Sequence, residues 1–395
     1  KGRETFHGGV SFFFLNSGLQ SENVSSALNE EGIFESHRFN SLADGNINLS
    51  GPIIPERLNF FASVTGFRIN RDMAEFENDD LSNVLSGLFN LSARLGEGEL
   101  SLLWTGQRIR HDSYGAERKV PFSATTERSE SYNVLQAVYD TAISERHFLK
   151  FGLSLTQGST RSDFQPGDES HGYELFTEIP TGLAAQARGD TRTNLNFLAS
   201  GESILTGDSH PSHILNYGIQ IKYASATTDL EVSQNHHRIF FNDEPIQVAL
   251  FNTPSRHQES ALHIDGFLKD SLTFKNFISV YLGLHLSYSR GWAPGLPPDS
   301  NYQGISWFNL SPRVGLTFPL NRDKSSAIRI HAARYYLTMP LSYLTYGLPS
   351  SPAVLVYQWN DLNKDFHFQE NETGALLRRE GPFYGGINPE IKRPL

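Results

Sequence analysis

The chain has 395 residues, with 33 Lys+Arg against 43 Asp+Glu, a formal charge of −10 and no Cys. An acidic balance without a basic stripe excludes general nucleic-acid binding, and the lack of Cys excludes a disulfide scaffold and thiol chemistry. No apolar run approaches the roughly 18 residues of a membrane helix, so any membrane is crossed by strands.

In chain order, alternation of apolar and polar positions predicts strands over residues 5–15, 44–54, 57–69, 84–95, 98–110, 130–143, 146–158, 193–206, 213–225, 259–272, 276–289, 305–319 and 326–337. These runs reach about ten residues, longer than the five or six of a sandwich strand and enough, when tilted, to span a bilayer. The clearest is 277–288, where Ile278, Val280, Leu282, Leu284, Leu286 and Tyr288 alternate with Ser279, Gly283, His285 and Ser287. After the break at 291–298 the rule resumes: Phe308, Leu310, Val314, Leu316 and Phe318 alternate with Asn309, Ser311, Arg313, Gly315 and Thr317.

Strand pattern alone does not separate a soluble sandwich from a barrel whose apolar side faces lipid. The connections do. Tight turns at Pro55-Glu56, Gly96-Glu97, Glu145, 207–211, 273–275 and 321–324 alternate with long polar stretches at 16–43, 70–83, 111–129, 159–192, 226–258, 290–304 and 338–395. Short turns at one end and long loops at the other mark an all-β, antiparallel up-and-down transmembrane β-barrel, with short periplasmic turns and long extracellular loops. A sandwich or propeller has no reason to produce this alternation. Phe60, Phe67, Phe148, Tyr223, Phe274, Tyr288, Trp307 and Tyr336 fall towards strand ends, where an aromatic girdle would lie. The chain enters a strand almost at once and closes on a long loop without a terminal strand, so it is read as a piece of one barrel domain across 1–395.

The segment Phe39–Ser63, with its Gly51-Pro-Ile turn before Phe60-Phe61, resembles the second and third barrel strands of Oar-like TonB-dependent receptors of Gram-negative bacteria. Phe267–Ser271, Leu282–His285, Asn309–Gly315 and Arg334–Tyr336 have the order and spacing of the middle of those barrels, and Gly385–Leu395 resembles the segment before a later strand. The family usually carries Arg where this chain has His285. The resemblance implies a barrel of about 22 strands, of which roughly thirteen lie here. It also implies an outer-membrane location, a plug that engages the TonB complex, and a small solute or oligomeric nutrient as cargo. The plug and the TonB-engaging box are not in this sequence.

Nothing reads as catalytic: no nucleophile elbow, Gly-rich phosphate loop or His-Glu-x-x-His pattern occurs. The protein is therefore read as a non-enzyme. The sharpest local signal is 361–372, where Asp361, Asn363, Asp365, the His367 carbonyl, Gln369 and Glu372 fall at positions 1, 3, 5, 7, 9 and 12 of a calcium loop. Phe366 stands where that loop carries Gly, and an ordinary acidic loop is the alternative. Calcium is the one cofactor considered. A second candidate is a group on the lumen side: His263 and Asp265, with His285 opposite one of them, and Gln107 and Lys222 at similar height on other strands. These either contact substrate or form a polar wall for the plug. His236-His237, in a long loop, has no further ligand at a defined spacing.

The reading is an outer-membrane active-transport receptor that binds a solute outside and imports it with TonB-derived energy. A passive porin-like channel and a secreted all-β binding module are the rivals.

Overall fold

A computed structural model describes residues 5–21, 24–32, 34–205, 212–274, 277–294, 304–321, 325–345, 348, 350–381 and 390–392. The expected turn at 207–211 and most of 385–395 lie outside these. In chain order the strands begin with β1 (His7–Asn16), β2 (Arg38–Ile54), β3 (Leu58–Asp72), β4 (Asp80–Leu95), β5 (Gly98–Tyr114), β6 (Thr126–Ser144) and β7 (His147–Phe164). Two short strands follow, β8 (Gly172–Glu174) and β9 (Pro180–Thr181), then β10 (Ala187–Leu205) and β11 (Ser212–Glu231). The remainder are β12 (His236–Phe241), β13 (Glu244–Phe251), β14 (Ser255–Phe274), β15 (Ile278–Trp292), β16 (Ile305–Pro319), β17 (Ala327–Ala333), β18 (Val354–Trp359) and β19 (Thr373–Glu380).

Among the described residues, thirteen of these form one sheet in the order β1-β2-β3-β4-β5-β6-β7-β10-β11-β14-β15-β16-β17. Each is antiparallel to its neighbour. Every expected strand is present, and most reach further towards the long-loop end: β14 and β11 have 20 residues each. At about 3.4 Å per residue and a tilt near 45°, such strands outrun an apolar band about 25 Å tall and project beyond it.

The two faces are inverted relative to a water-soluble protein. Leu282, Leu284, Leu286, Leu310, Val314, Leu316 and Phe318 are exposed, whereas Ser287, Ser289, Asn309 and Ser311 on the opposite face are buried. A continuous apolar surface of this kind is covered by lipid, not water. We therefore expect Leu284→Arg, in the middle of β15, to cost about 2–4 kcal/mol of stability in a bilayer. Urea titration of the full-length protein refolded into lipid vesicles checks this value. Of the aromatics expected to form a girdle, Phe60, Tyr223, Phe274 and Tyr288 lie on the outward face. The register puts Phe67, Phe148 and Trp307 on the inner one. Trp307 instead packs with Ile305, Met339 and Leu344 in a small core at the long-loop end.

The long loops are not all irregular. Segments from the connections after β7, β11 and β17 build a second sheet of six strands, in the order β19-β18-β13-β12-β8-β9. Only the β8–β12 pair is parallel. Asn242 and Asp243, at φ 51° and 62°, turn β12 into β13, the positive φ pair a tight hairpin requires. The Glu174 carboxylate accepts both turn amides, at 3.1 and 3.0 Å, and the Phe176 amide at 2.9 Å. The Phe176 amide is the largest of the causes that hold the Glu174 pKa below its usual range. We call this second sheet the cap.

Candidate solute site on the inner wall and the cap at its mouth

Because side chains alternate strictly, β5, β6, β7 and β10 bring one set of charged residues to the inner face near the long-loop end. Gln107, Arg128, Glu130, Tyr132, Asp190 and Arg192 line a cavity of about 340 Å³. The Arg128 guanidinium lies 2.8 Å from the Glu130 carboxylate and stacks over the Tyr114 ring at 4.2 Å. Asp190 accepts from Arg188 Nε at 2.5 Å and from the Thr228 hydroxyl at 2.7 Å. Arg192 is exposed and makes no ion pair among the described residues. The cavity thus presents one cation held in an ion pair, Arg128, one that only feels the charges of Asp190 and Glu259 at longer range, Arg192, and the ring of Tyr132. That combination suits an anionic, partly planar solute, since guanidinium binds carboxylate or phosphate oxygens in pairs.

The residues singled out in the sequence divide between two places. Gln107 borders this cavity and donates from Nε2 to Ser86 Oγ at 3.1 Å. Lys222, His263, Asp265 and His285 form a separate patch on β11, β14 and β15. Lys222 pairs in register with His263, and the His263 ring Nδ1 is 2.9 Å from Ser289 Oγ. β5 and β11 are four strands apart in the sheet order, on the order of 19 Å at the usual strand spacing. Gln107 and the histidine patch therefore do not contact one bound group of ordinary size.

His285 faces the expected side, but its partner differs. It stands opposite Phe267 and Ser311, with His263 opposite Ser289 and Asp265 opposite Ser287. The last pair before the β14–β15 turn is Phe274–Ile278, beyond the expected turn at 273–275, and this moves His285 from opposite His263 or Asp265 to opposite Phe267. The displacement leaves the Asp265 carboxylate on the diagonal, 3.5 Å from His285 Nε2.

Arg128, Glu130, Asp190 and Arg192 were not singled out, because the expected strands began at 130 and 193 and left most of these residues in loops. A readable signal was present: Arg188, Asp190 and Arg192 alternate charge at a spacing of two, as do Arg128 and Glu130, the period of one strand face. Nearer the short turns the inner wall opens into a wider hollow of about 1040 Å³ bearing charges of both signs, among them Glu99, Asp140, Lys150, Glu202 and Lys269. Lys150 and Asp140 lie 3.4 Å apart.

Cap residues read as loop in the sequence are buried partners. His236 and His237 open β12, where the His237 Nε2–H donates to the Ala185 carbonyl at 2.7 Å. His236 Nδ1–H donates to the Gln234 carbonyl at 3.0 Å, leaving Nε2 to accept from the Ser170 hydroxyl at 2.9 Å. Their ring nitrogens are thus engaged in packing the cap. At the cap's centre Arg238, 2% exposed, spans three acceptors: Glu169 Oε1 at 2.7 Å, the Ser170 carbonyl at 2.7 Å and the Phe366 carbonyl at 2.9 Å.

The last contact ties Arg238 to the 361–372 loop, which closes on hydrogen bonds of its own. Asp361 accepts the amides of Lys364 and Phe366, and Asp365 accepts the amide of His367 and the Gln369 side chain. Phe366 takes φ 60°, the left-handed turn that the position asks of Gly. Glu372, 1% exposed, points inward and accepts from Trp359 Nε1 and the amides of Leu362 and Gln369, each at 3.0–3.1 Å. Among the described residues no three His, Asp or Glu side chains are gathered as a metal cluster, and Asp361, Asp365 and Glu372 each accept from N–H groups of their own loop.

Compared with known proteins, the chain matches no family model and no curated sequence. It does match solved structures. The outer-membrane transporter YddB from Escherichia coli superposes with a TM-score of 0.57 at 13% identity, covering 92% of this chain and 50% of that one. The ferripyoverdine receptor of the Pseudomonas aeruginosa outer membrane gives 0.55 at 11% identity, covering 91% and 47%. The ferric-catecholate import receptor Fiu of E. coli gives 0.51 at 9% identity, covering 82% and 54%. The chain has the fold of an outer-membrane receptor barrel. It spans about half the length of the structures it matches. The cap and the Arg128–Arg192 cavity lie at the long-loop end of the barrel wall.

Proposed function

We propose that this chain is the first part of the barrel of a TonB-dependent outer-membrane receptor, which takes up a scarce anionic solute from the extracellular side and imports it with energy delivered through a plug. The observation that carries the reading is the pairing of an exposed apolar outer wall with a charged inner wall where Arg192, exposed and outside any close ion pair, lines a cavity near the long-loop end. The fold shared with import receptors supports it. Gln107, Arg128 and Arg192 are assigned to the solute, and Lys222, His263, Asp265 and His285 to a second polar patch on the wall that meets either the solute or the plug. The mixed charges of the lower hollow suit a plug held by polar contacts that water can replace when the plug is pulled.

Cells carrying the full-length gene should deplete their cognate solute from a defined medium only when TonB is present. Replacing Arg128 and Arg192 together with Ala should lower that uptake by roughly tenfold or more at limiting solute, because two charge-assisted contacts are lost. Mass-spectrometric profiling of the spent medium reads both effects. Uptake that persists without TonB, accompanied by steady conductance of the protein in planar bilayers, would identify a passive channel instead.

A further inference from the structure

On the outer wall, near the long-loop end, lies a groove of about 600 Å³ that the solute pathway does not use. Its floor is made by outward positions of β1 to β4: Phe12, Gly45, Gly66 and Leu85 stand side by side in one row of the register. The two glycines make the floor low, and a Cβ placed on Gly66 meets no atom within 4 Å. Below the groove the wall continues into exposed apolar side chains, Ile47, Val64, Phe89 and Leu102.

Above and beside it the chemistry changes abruptly. Arg68 on β3 and Arg108 on β5 border the groove, both exposed and both without an ion pair among the described residues. Asn83 lies between them in the register row, paired with Arg68 on one side and Arg110 on the other. Arg110 is already engaged, 3.1 Å from Asp112 and 2.8 Å from Glu127. Only β4 lies between Arg68 and Arg108, two strand spacings or on the order of 10 Å, a span that one phosphorylated sugar head group bridges.

We infer that this groove binds a phosphorylated, acylated glycolipid of the outer leaflet, its phosphate held between Arg68 and Arg108 and one acyl chain laid along the Gly45–Gly66 floor. Three features favour this occupant. The site faces lipid, so a soluble anion reaches it only through the head-group layer. The free cations stand at the upper edge of the apolar belt, where phosphates of the leaflet lie. The hollow has the volume of a ligand pocket and an apolar floor, which a bare phosphate leaves unfilled. Guanidinium groups at the low-dielectric edge of a membrane bind phosphate more strongly than they do in water.

The inference rests on the outer-membrane reading, and the test separates the two. The full-length protein, confirmed in the outer-membrane fraction by heat-modifiable gel mobility, is placed in phosphatidylethanolamine nanodiscs doped with bis-phosphorylated lipid A or with the same lipid lacking its phosphates. Lipid retained through mild delipidation is counted by native mass spectrometry. We expect the wild type to keep the phosphorylated form, R68Q/R108Q to retain it at least about tenfold less, and Gly66→Trp, which fills the floor and leaves both arginines, to lose it as well. R161Q, whose parent side chain is paired with Asp163 at 2.8 Å, should behave as wild type. Equal retention by R68Q/R108Q, or equal retention of the phosphate-free lipid, overturns the inference while leaving the barrel reading intact. A protein absent from the outer-membrane fraction overturns both.

Discussion

Replacing Arg238 with Met should open the cap to protease while the barrel stays folded. Arg238 is the one cation at the centre of the cap that joins β12 to Glu169, to the Ser170 carbonyl and, through the Phe366 carbonyl, to a loop more than a hundred residues away in sequence. Met matches its length and keeps the apolar contact made over the Phe240 ring, where the guanidinium sits 5.7 Å from the centroid. It offers no donor, however, so the buried Ser170 carbonyl and the part-buried Phe366 carbonyl lose their partner. A loss of this kind costs about 3 kcal/mol, between the penalty for an orphaned acceptor and that for a broken buried pair. Half of Glu169 is in water, so its own loss is small. The open population of the cap should rise roughly a hundredfold. Limited proteolysis of the full-length protein in nanodiscs should then show faster cleavage within 361–372, with unchanged heat-modifiable mobility. Cleavage at the wild-type rate would mean that the three hydrogen bonds do not hold the cap together.

Acid should loosen the same structure through its histidines. Burial, and secondarily the positive charge that His171 would carry beside it, hold the His237 pKa down to about 4 from 6.5. His171 and His236 are shifted the same way, in each case chiefly by burial. His171 and His237 stack edge to face at 4.7 Å, so protons on both rings repel, and His237 rests on Phe251 at 4.4 Å, which helps keep water from its ring. The direction of the effect follows from where the proton binds. Between about pH 6.5 and 4 the opened cap takes up a proton on His237 that the closed cap refuses, so the closed state is fully favoured above pH 6.5 and loses that advantage as pH falls towards 4. The depression amounts to about 3 kcal/mol at the acid end for His237. Protection factors of residues 236–251, with exchange rates corrected for the pH dependence of intrinsic amide exchange, should therefore fall between about pH 6.5 and 5 more steeply than those of the barrel strands. His237→Gln keeps an N–H for the Ala185 carbonyl and removes the titrating group, so the acid-dependent part of that fall should shrink. Glu174 and Asp365, both held below the ordinary carboxylate range by backbone amides, contribute only at lower pH, where their protonation weakens the cap further.

These two expectations concern a part of the molecule that the amino-acid pattern concealed. The six cap strands have two to eight residues each, too few for an alternation to stand out. They also pair across distances such as Gln247 with Gln358, which local periodicity does not report. His236-His237 and the 361–372 loop stood out by residue type, the first with no third ligand at a defined spacing and the second as either a calcium loop or an ordinary acidic loop. The structure adds the contacts they make: the histidines donate to carbonyls and Glu372 accepts from its own loop. The calcium-like spacing has a physical content all the same, since Asp361 turns the chain by accepting two amides even with Phe at the tight position.

By itself the sequence determined the thirteen strands and which side of each faces lipid. Leu282, Leu284 and Leu286 could take only one side, because a side-chain period of two makes any slip of one residue turn the whole strand over. It also determined the tight turns at Pro55-Glu56, Gly96-Glu97 and Glu145, because short turns leave little room for choice. Only the tertiary structure decided which inward residues meet. Arg128 and Arg192 share a cavity because β7 alone separates β6 from β10 and the register brings Tyr132, Gly158 and Arg192 into one row. His285 meets Asp265 on a diagonal because the β14–β15 turn closes at Phe274–Ile278, a register that keeps the required parity but slides the two strands past the expected pairing. Parity is a local property that any strand displays, whereas register and loop-to-loop pairing are set by turn geometry and by the fit of distant side chains.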